Sequence, residues 1–137
     1  MGAEVTPAHQ HALDGFLRSR LAVPFAWGSQ DCCMFAADAV AVQTGRDPAA
    51  DARRAYTTAR TGAMLLQQLG GLEAVGARAG PAIGPLNAGA GDIGLVHYND
   101  RRTLAVCMGP AWLAPGARGL VVLPLDAAER AWRVGDA

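Results

Sequence analysis

This chain lacks any excess of positive or negative charge. Its 137 residues carry 12 basic and 12 acidic side chains, a formal net charge of zero. That balance gives no electrostatic footprint for nucleic acid. Charged residues are sparse altogether, at 18%, whereas 51% of residues are hydrophobic, so persistent disorder is excluded. Long apolar runs are also missing, and none approaches the roughly 18 residues of a membrane span. The stretch Met1–Gly15 has neither a basic start nor an apolar core. It does not read as a secretory signal, and synthesis in the cytoplasm is expected. Its first six residues fit only the loose myristoylation pattern. Cysteine is scarce and odd in number, at three. Cys32 and Cys33 are adjacent, and adjacent cysteines rarely pair because the ring is strained. The spacing suits neither a disulfide framework nor a zinc site. A reducing compartment is the simplest setting, and no metal or cofactor is expected. The length fits one domain, 1–137, by the usual range of roughly 100–200 residues.

What is present falls into two halves. Thr6-Pro7 is a cap followed by proline at the first helical position, and Leu13, Phe16, Leu17 and Leu21 recur at helical spacing. A helix is expected over 7–20, stopped before Pro24. Asp31 is a good N-cap for Cys32 to Thr44, a run whose only charge is Asp38. A helix so apolar all round belongs at the centre, and Gly45 closes it. Short helices are expected from Asp47-Pro48 to Arg54, over Thr61–Leu69 with Met64, Leu65 and Leu69 inward, and over Leu72–Arg78. Residues 79–91 are a Gly, Pro and Ala connector.

From Asp92 the pattern changes to strands. Ile93–Tyr98 and Thr103–Met108 flank a polar turn, Asn99–Arg102. Ala111–Leu113 and Leu120–Leu125 pair around Pro115-Gly116, and a last strand covers Ala131–Val134. The expected class is α+β, with a helical part over about 7–78 and an antiparallel sheet over about 92–134.

Chemistry concentrates at Trp27–Cys33. A cysteine in the first turn of a helix meets free backbone N–H groups and the positive end of the helix dipole. Both favour the thiolate, so Cys32 is placed as an activated nucleophile would be. The plainer reading makes Cys32 and Cys33 small buried hydrophobes. Trp27 packs beside the Cys32 helix and floors any groove there. Asp92 reads as a turn cap, Cys107 as inert strand packing, and Arg53, Arg54 and Arg60 as a solvated face. Trp112 and Trp132 suit either core or interface.

The segments Phe25–Cys33, Gly91–Val96 and Leu104–Gly109, with the closing Arg130–Val134, resemble the NlpC/P60 group of papain-like cysteine peptidases. The likeness is nearest to a short phage- and prophage-associated branch of unknown function, and it runs from about Leu13 to Val134. The resemblance implies cleavage of peptidoglycan stem peptides, or related amidase and acyltransferase chemistry. It carries Cys32 over as the nucleophile position, with Asp31 as the cap before it. It also implies a histidine at the start of the second core strand and a polar orienting residue one strand later. Aligned on Gly109, Thr103 stands where the histidine should be. Between Thr103 and Leu125 there is no His, Asn, Gln, Asp or Glu, and Arg118 is the only charge.

Three functions are therefore open. The first is a phage or prophage tail-tip component that has lost the histidine and whose partners are other tail proteins. The second is a working hydrolase of peptidoglycan that uses Cys32 with an unconventional base. His97 is the candidate for that base, although its plainer reading is a rim histidine. A hairpin turn symmetric about Asp100 and Arg101 puts His97 opposite Leu104, on the face away from Thr103, and a one-residue bulge reverses this. His9 and His11 lie near the start of the first helix. The third is a groove that binds peptide or glycan without cutting, lined by Trp27, Gly28 and Thr103.

Overall fold

The structure, a computed structural model, describes residues 7–135. Thr6 and the possible lipidation pattern lie outside them. Four helices come first: α1 (Pro7–Arg20), α2 (Cys32–Thr44), α3 (Ala59–Leu69) and α4 (Leu72–Ala77). Six strands follow: β1 (Ala82–Ile83), β2 (Ile93–Tyr98), β3 (Arg101–Cys107), β4 (Ala111–Gly116), β5 (Gly119–Pro124) and β6 (Ala128–Trp132). They form one antiparallel sheet in the order β1-β6-β2-β3-β4-β5. The class is α+β, as expected. Among the described residues, no helix is long and apolar enough to cross a membrane.

Helix α2 is central for the reason its composition suggests. Met34, Phe35, Ala36, Ala37, Ala39 and Val40 are all buried. Phe35 and Val40 pack with Phe16 and Leu17 of α1 on one face of the sheet, against Ile93, Leu95, Leu104 and Val106. Asp38, the lone charge, is neutralised by Arg20 at 2.8 Å and Arg53 at 2.6 Å. Arg53 also binds Asp47, so it is part of an ion-pair bridge between elements rather than of a solvated face. That pairing holds the Asp47 carboxyl below its usual range.

The other face of the sheet is buried too. Val96, Ala105, Cys107, Trp112, Ala114 and Ala131 form a second core. Trp112 is fully buried, donates to the Leu125 carbonyl at 3.2 Å, and packs its six-membered ring against Gly94. A Cβ at Gly94 would come within 2.5 Å of the indole ring. Gly94→Ala is therefore expected to destabilise the protein by about 1–3 kcal/mol through overpacking. In urea its midpoint should fall at unchanged slope, and an unaltered midpoint would refute the packing argument.

Several boundaries differ from the sequence expectation. Residues 48–54 form a series of turns, not a helix, and Arg54 ends them with a left-handed φ of 62°. Helix α3 starts two residues early, since Thr58 rather than a later residue caps it through a reciprocal pairing with Thr61. Met64 is exposed, and Leu65 and Leu69 are only half-buried. The connector contains the short β1 and a turn of 3-10 helix, Pro85–Asn87. Pro115 and Gly116 lie inside β4, and the chain reverses at Ala117-Arg118, where Gly116 pairs with Gly119. The last strand lies upstream of its expected place, at Ala128–Trp132.

The β2–β3 hairpin is tighter than expected. Asn99 and Asp100 take φ of 51° and 59°, the two left-handed central residues of a primed two-residue turn. Val96 therefore pairs with Thr103, and His97 with Arg102. Relative to the expected register, each partner moves by two residues. A two-residue slip preserves the face, so His97 still projects from the side opposite Thr103.

Candidate functional site

The segment before α2 is built to hold Asp31. Gly28 has a φ of 84°, and a Cβ there would meet the Tyr56 carbonyl at 2.3 Å, so only glycine fits. Its N–H donates to Asp31 Oδ2 at 2.8 Å. Asp31 Oδ1 accepts from the N–H of Met34 at 2.9 Å, which is the N-cap bond. The Tyr56 hydroxyl also donates to Asp31 Oδ2. Burial, then this bond to a carboxylate, pushes the Tyr56 phenol above its usual range. Asp31 is thus a buried, triply bonded anchor for the start of α2.

Cys32 is the first residue of α2 and is half-buried. Its thiol is lowered to about 7. The chief cause is the Cys33 thiol donating to its sulfur, helped by the Thr103 hydroxyl and the Leu104 main chain. Burial and the Asp31 charge oppose the shift. The same bond, with burial, drives the Cys33 thiol upward. Strand β3 pairs with β4 only at Val106 and Cys107. The first half of β3 thus keeps an unpaired edge toward the N-terminus of α2, where Thr103 and Leu104 meet the Cys32 sulfur.

Alkylation by iodoacetamide reads this arrangement directly. The rate at Cys32 should rise with pH through a midpoint near 7, because the thiolate is the nucleophile. Cys33→Ala should move that midpoint upward, and further than Thr103→Val does. A midpoint of the native chain in the ordinary thiol range would overturn the geometry.

The structure does not bring His97 to this site. Its side chain is 60% exposed and pairs with Glu129 at 2.9 Å. Glu129 also pairs with Arg102, which together with Arg130 binds Glu73 of α4. No imidazole is among the groups that set the Cys32 thiol. His11 lines a separate groove along α1 with Leu13, Leu17, Met108 and Leu113. Trp27 is 43% exposed, edge-on to Phe25 at 4.8 Å. Asp92 is buried; it accepts from the N–H of Gly89 at 2.9 Å and from that of Val134 at 3.0 Å, tying the connector to the chain end. Cys107 is buried in the second core, where its thiol is pushed up. Trp112 and Trp132 are both core residues. Among the described residues, no group of three or more His, Cys, Asp or Glu is arranged to hold a metal ion.

Two contributors carried no sequence signal. Tyr56 lies 25 residues from Asp31, in a segment with no recognisable motif. Gln30, an unspecified position inside the Phe25–Cys33 segment, is buried with its Oε1 held by Arg20.

Comparison with known families and structures fits this geometry. A family described as a domain of unknown function, DUF6950, matches residues 5–134. No curated protein matches the chain. Among solved structures, the chain is similar to a crystal structure of the NlpC/p60 domain of the peptidoglycan hydrolase SagA. The TM-score is 0.56 at 18% identity, with 90% of this chain and 97% of that chain covered. At this identity the likeness shows a shared fold.

Proposed function

The chain belongs to the DUF6950 family and has an NlpC/P60-like fold, and from that premise we propose that it is a non-hydrolytic component of a phage or prophage tail tip. One observation carries the non-hydrolytic part. The side chains that act on the Cys32 sulfur are the Cys33 thiol and the Thr103 hydroxyl, and neither is an imidazole. Cleaving an amide needs a thiolate and a proton for the leaving amine. The helix N-terminus and Cys33 assist the first task. A threonine hydroxyl does not serve the second, and general acid–base help is worth about 10²–10⁴-fold.

Support for the tail-tip part is the resemblance to the phage-associated branch, together with surface suited to contacts. Trp27 and Met64 are exposed, and Leu21 and Met108 are exposed on the α1 groove. The lowered Cys32 thiol favours a second reading, a residual peptidoglycan peptidase. One assay separates the two. The native chain and Cys32→Ala are incubated with peptidoglycan stem peptides, and the products are resolved by chromatography. Equal background from both is expected, and Cys32-dependent cleavage would overturn the proposal. The tail role is tested by immunogold labelling of particles induced from the source strain. Label confined to one end of the tail is expected, and unlabelled particles would sink the assembly reading.

A further inference from the structure

We infer that the outward face of α1 and the groove beside it pair with a second copy of this chain, the two α1 helices running antiparallel about a twofold axis. The inference is independent of the fate of Cys32 and of the tail-tip reading.

The groove runs along α1 and encloses about 670 Å³. It is far larger than the cavity of about 50 Å³ between α2 and α3. Its floor is made by Leu13, Leu17 and Leu113, which are buried. Leu21 and Met108 stand on its rim, 51% and 42% exposed. They leave apolar surface in water, and covering it favours association.

The polar part of the rim says which partner fits. His11, Asp14, Gly15 and Arg18 share one exposed face of α1, at the i, i+3, i+4 and i+7 spacing. Asp14 comes first and Arg18 one turn later. A helix face with acid and then base matches itself when turned end for end. In that pairing Asp14 of each copy faces Arg18 of the other, and symmetry forms both contacts at once, as in any isologous interface. Within one helix the same two side chains pair only loosely, at 3.5 Å, and both are largely exposed. Exchanging that contact for one across the interface costs little. The same alignment sets Leu21 of one copy level with His11 of the other, which also lines the groove.

Gly15 is an independent observation that points the same way. A glycine inside a helix is destabilising relative to alanine. No other part of the chain lies within 4 Å of the place its Cβ would take. Packing within one copy therefore gives no reason for a glycine here. Between two copies it stands beside Asp14 at the centre of the pair, where the missing side chain lets the two backbones approach closely. Antiparallel helices also bring each end of one dipole near the opposite end of the other.

The paired surface draws on about half of the 20–30 residues a side that a standard interface uses. The dimer is therefore reversible, and its population follows protein concentration.

Sedimentation velocity of the full chain in low salt tests this from about 1 µM to about 1 mM, the span of weak association. The mass should rise from monomer toward dimer and no further. Asp14→Arg or Arg18→Asp alone turns both attractive pairs into repulsive ones, and should raise the dissociation constant by about tenfold or more. An equimolar mixture of the two variants restores opposite charges at both contacts, and should dimerise as well as the native chain. Both side chains are exposed, and circular dichroism checks that each variant folds. Gly15→Gln should also weaken the dimer, without lowering the melting temperature of dilute protein. A chain that stays monomeric throughout would overturn the inference and leave the groove to another occupant. A dimer indifferent to the charge reversals, a mixture that stays monomeric, or an assembly beyond the dimer would overturn it equally.

Discussion

Asp31→Ala should lower the unfolding free energy by about 1.5–5 kcal/mol, the sum of a lost helix cap and a stranded buried donor. The carboxylate accepts three hydrogen bonds, from Gly28, Met34 and Tyr56. Losing the cap to Met34 alone costs about 0.5–2 kcal/mol. The Tyr56 hydroxyl would then sit in the core without an acceptor, at about 1–3 kcal/mol more. Urea unfolding measures the total, and a loss under about 1 kcal/mol would show that the anchor is incidental. Asp31→Asn separates charge from cap. Asparagine caps about as well as aspartate, so most of the stability should remain. The Asp31 charge raises the Cys32 thiol, so removing it should lower the pH midpoint of Cys32 alkylation. Stability and reactivity thus move independently in the two variants.

Installing an imidazole at the β3 position should produce the largest gain of function. Thr103→His is expected to raise stem-peptide cleavage by about 10²-fold over the native background, the low end of general acid–base assistance. The position is favourable because the Thr103 hydroxyl is one of the groups that lower the Cys32 thiol. The gain stays at the low end because no polar side chain is in place to orient the ring. From Leu104 to Leu125 the only charged residue is Arg118, and there is no Asn, Gln, Asp, Glu or His. The double variant Thr103→His with Cys32→Ala should return to background. If Thr103→His folds, by circular dichroism, yet cleaves no faster than the native chain, the nucleophile–base geometry assigned to Cys32 and residue 103 is wrong.

The parts of the fold that were legible depend on near neighbours. Asp31, the apolar run after it and Gly45 all act within one or two helical turns, and α2 begins and ends where they place it. The residues 48–54 looked like another capped helix, but Arg54 ends the segment in a left-handed conformation. The β2–β3 register was misjudged because a polar four-residue turn reads much like a two-residue one. Only the φ values of Asn99 and Asp100 distinguish them. His97 kept its expected face because the error was an even number of residues.

The candidate site divides in the same way. Cys32 at a helix N-terminus, with Asp31 capping it, could be read from adjacent residues, because capping and the helix dipole act over a single turn. The tertiary structure alone brought Tyr56 onto Asp31, set Thr103 and Leu104 against the Cys32 sulfur, paired His97 with Glu129, and left the cavity between α2 and α3. These contacts join segments from 25 to more than 70 residues apart, and their partners are chosen by how helices and strands close over one another. Local periodicity carries no record of that closure.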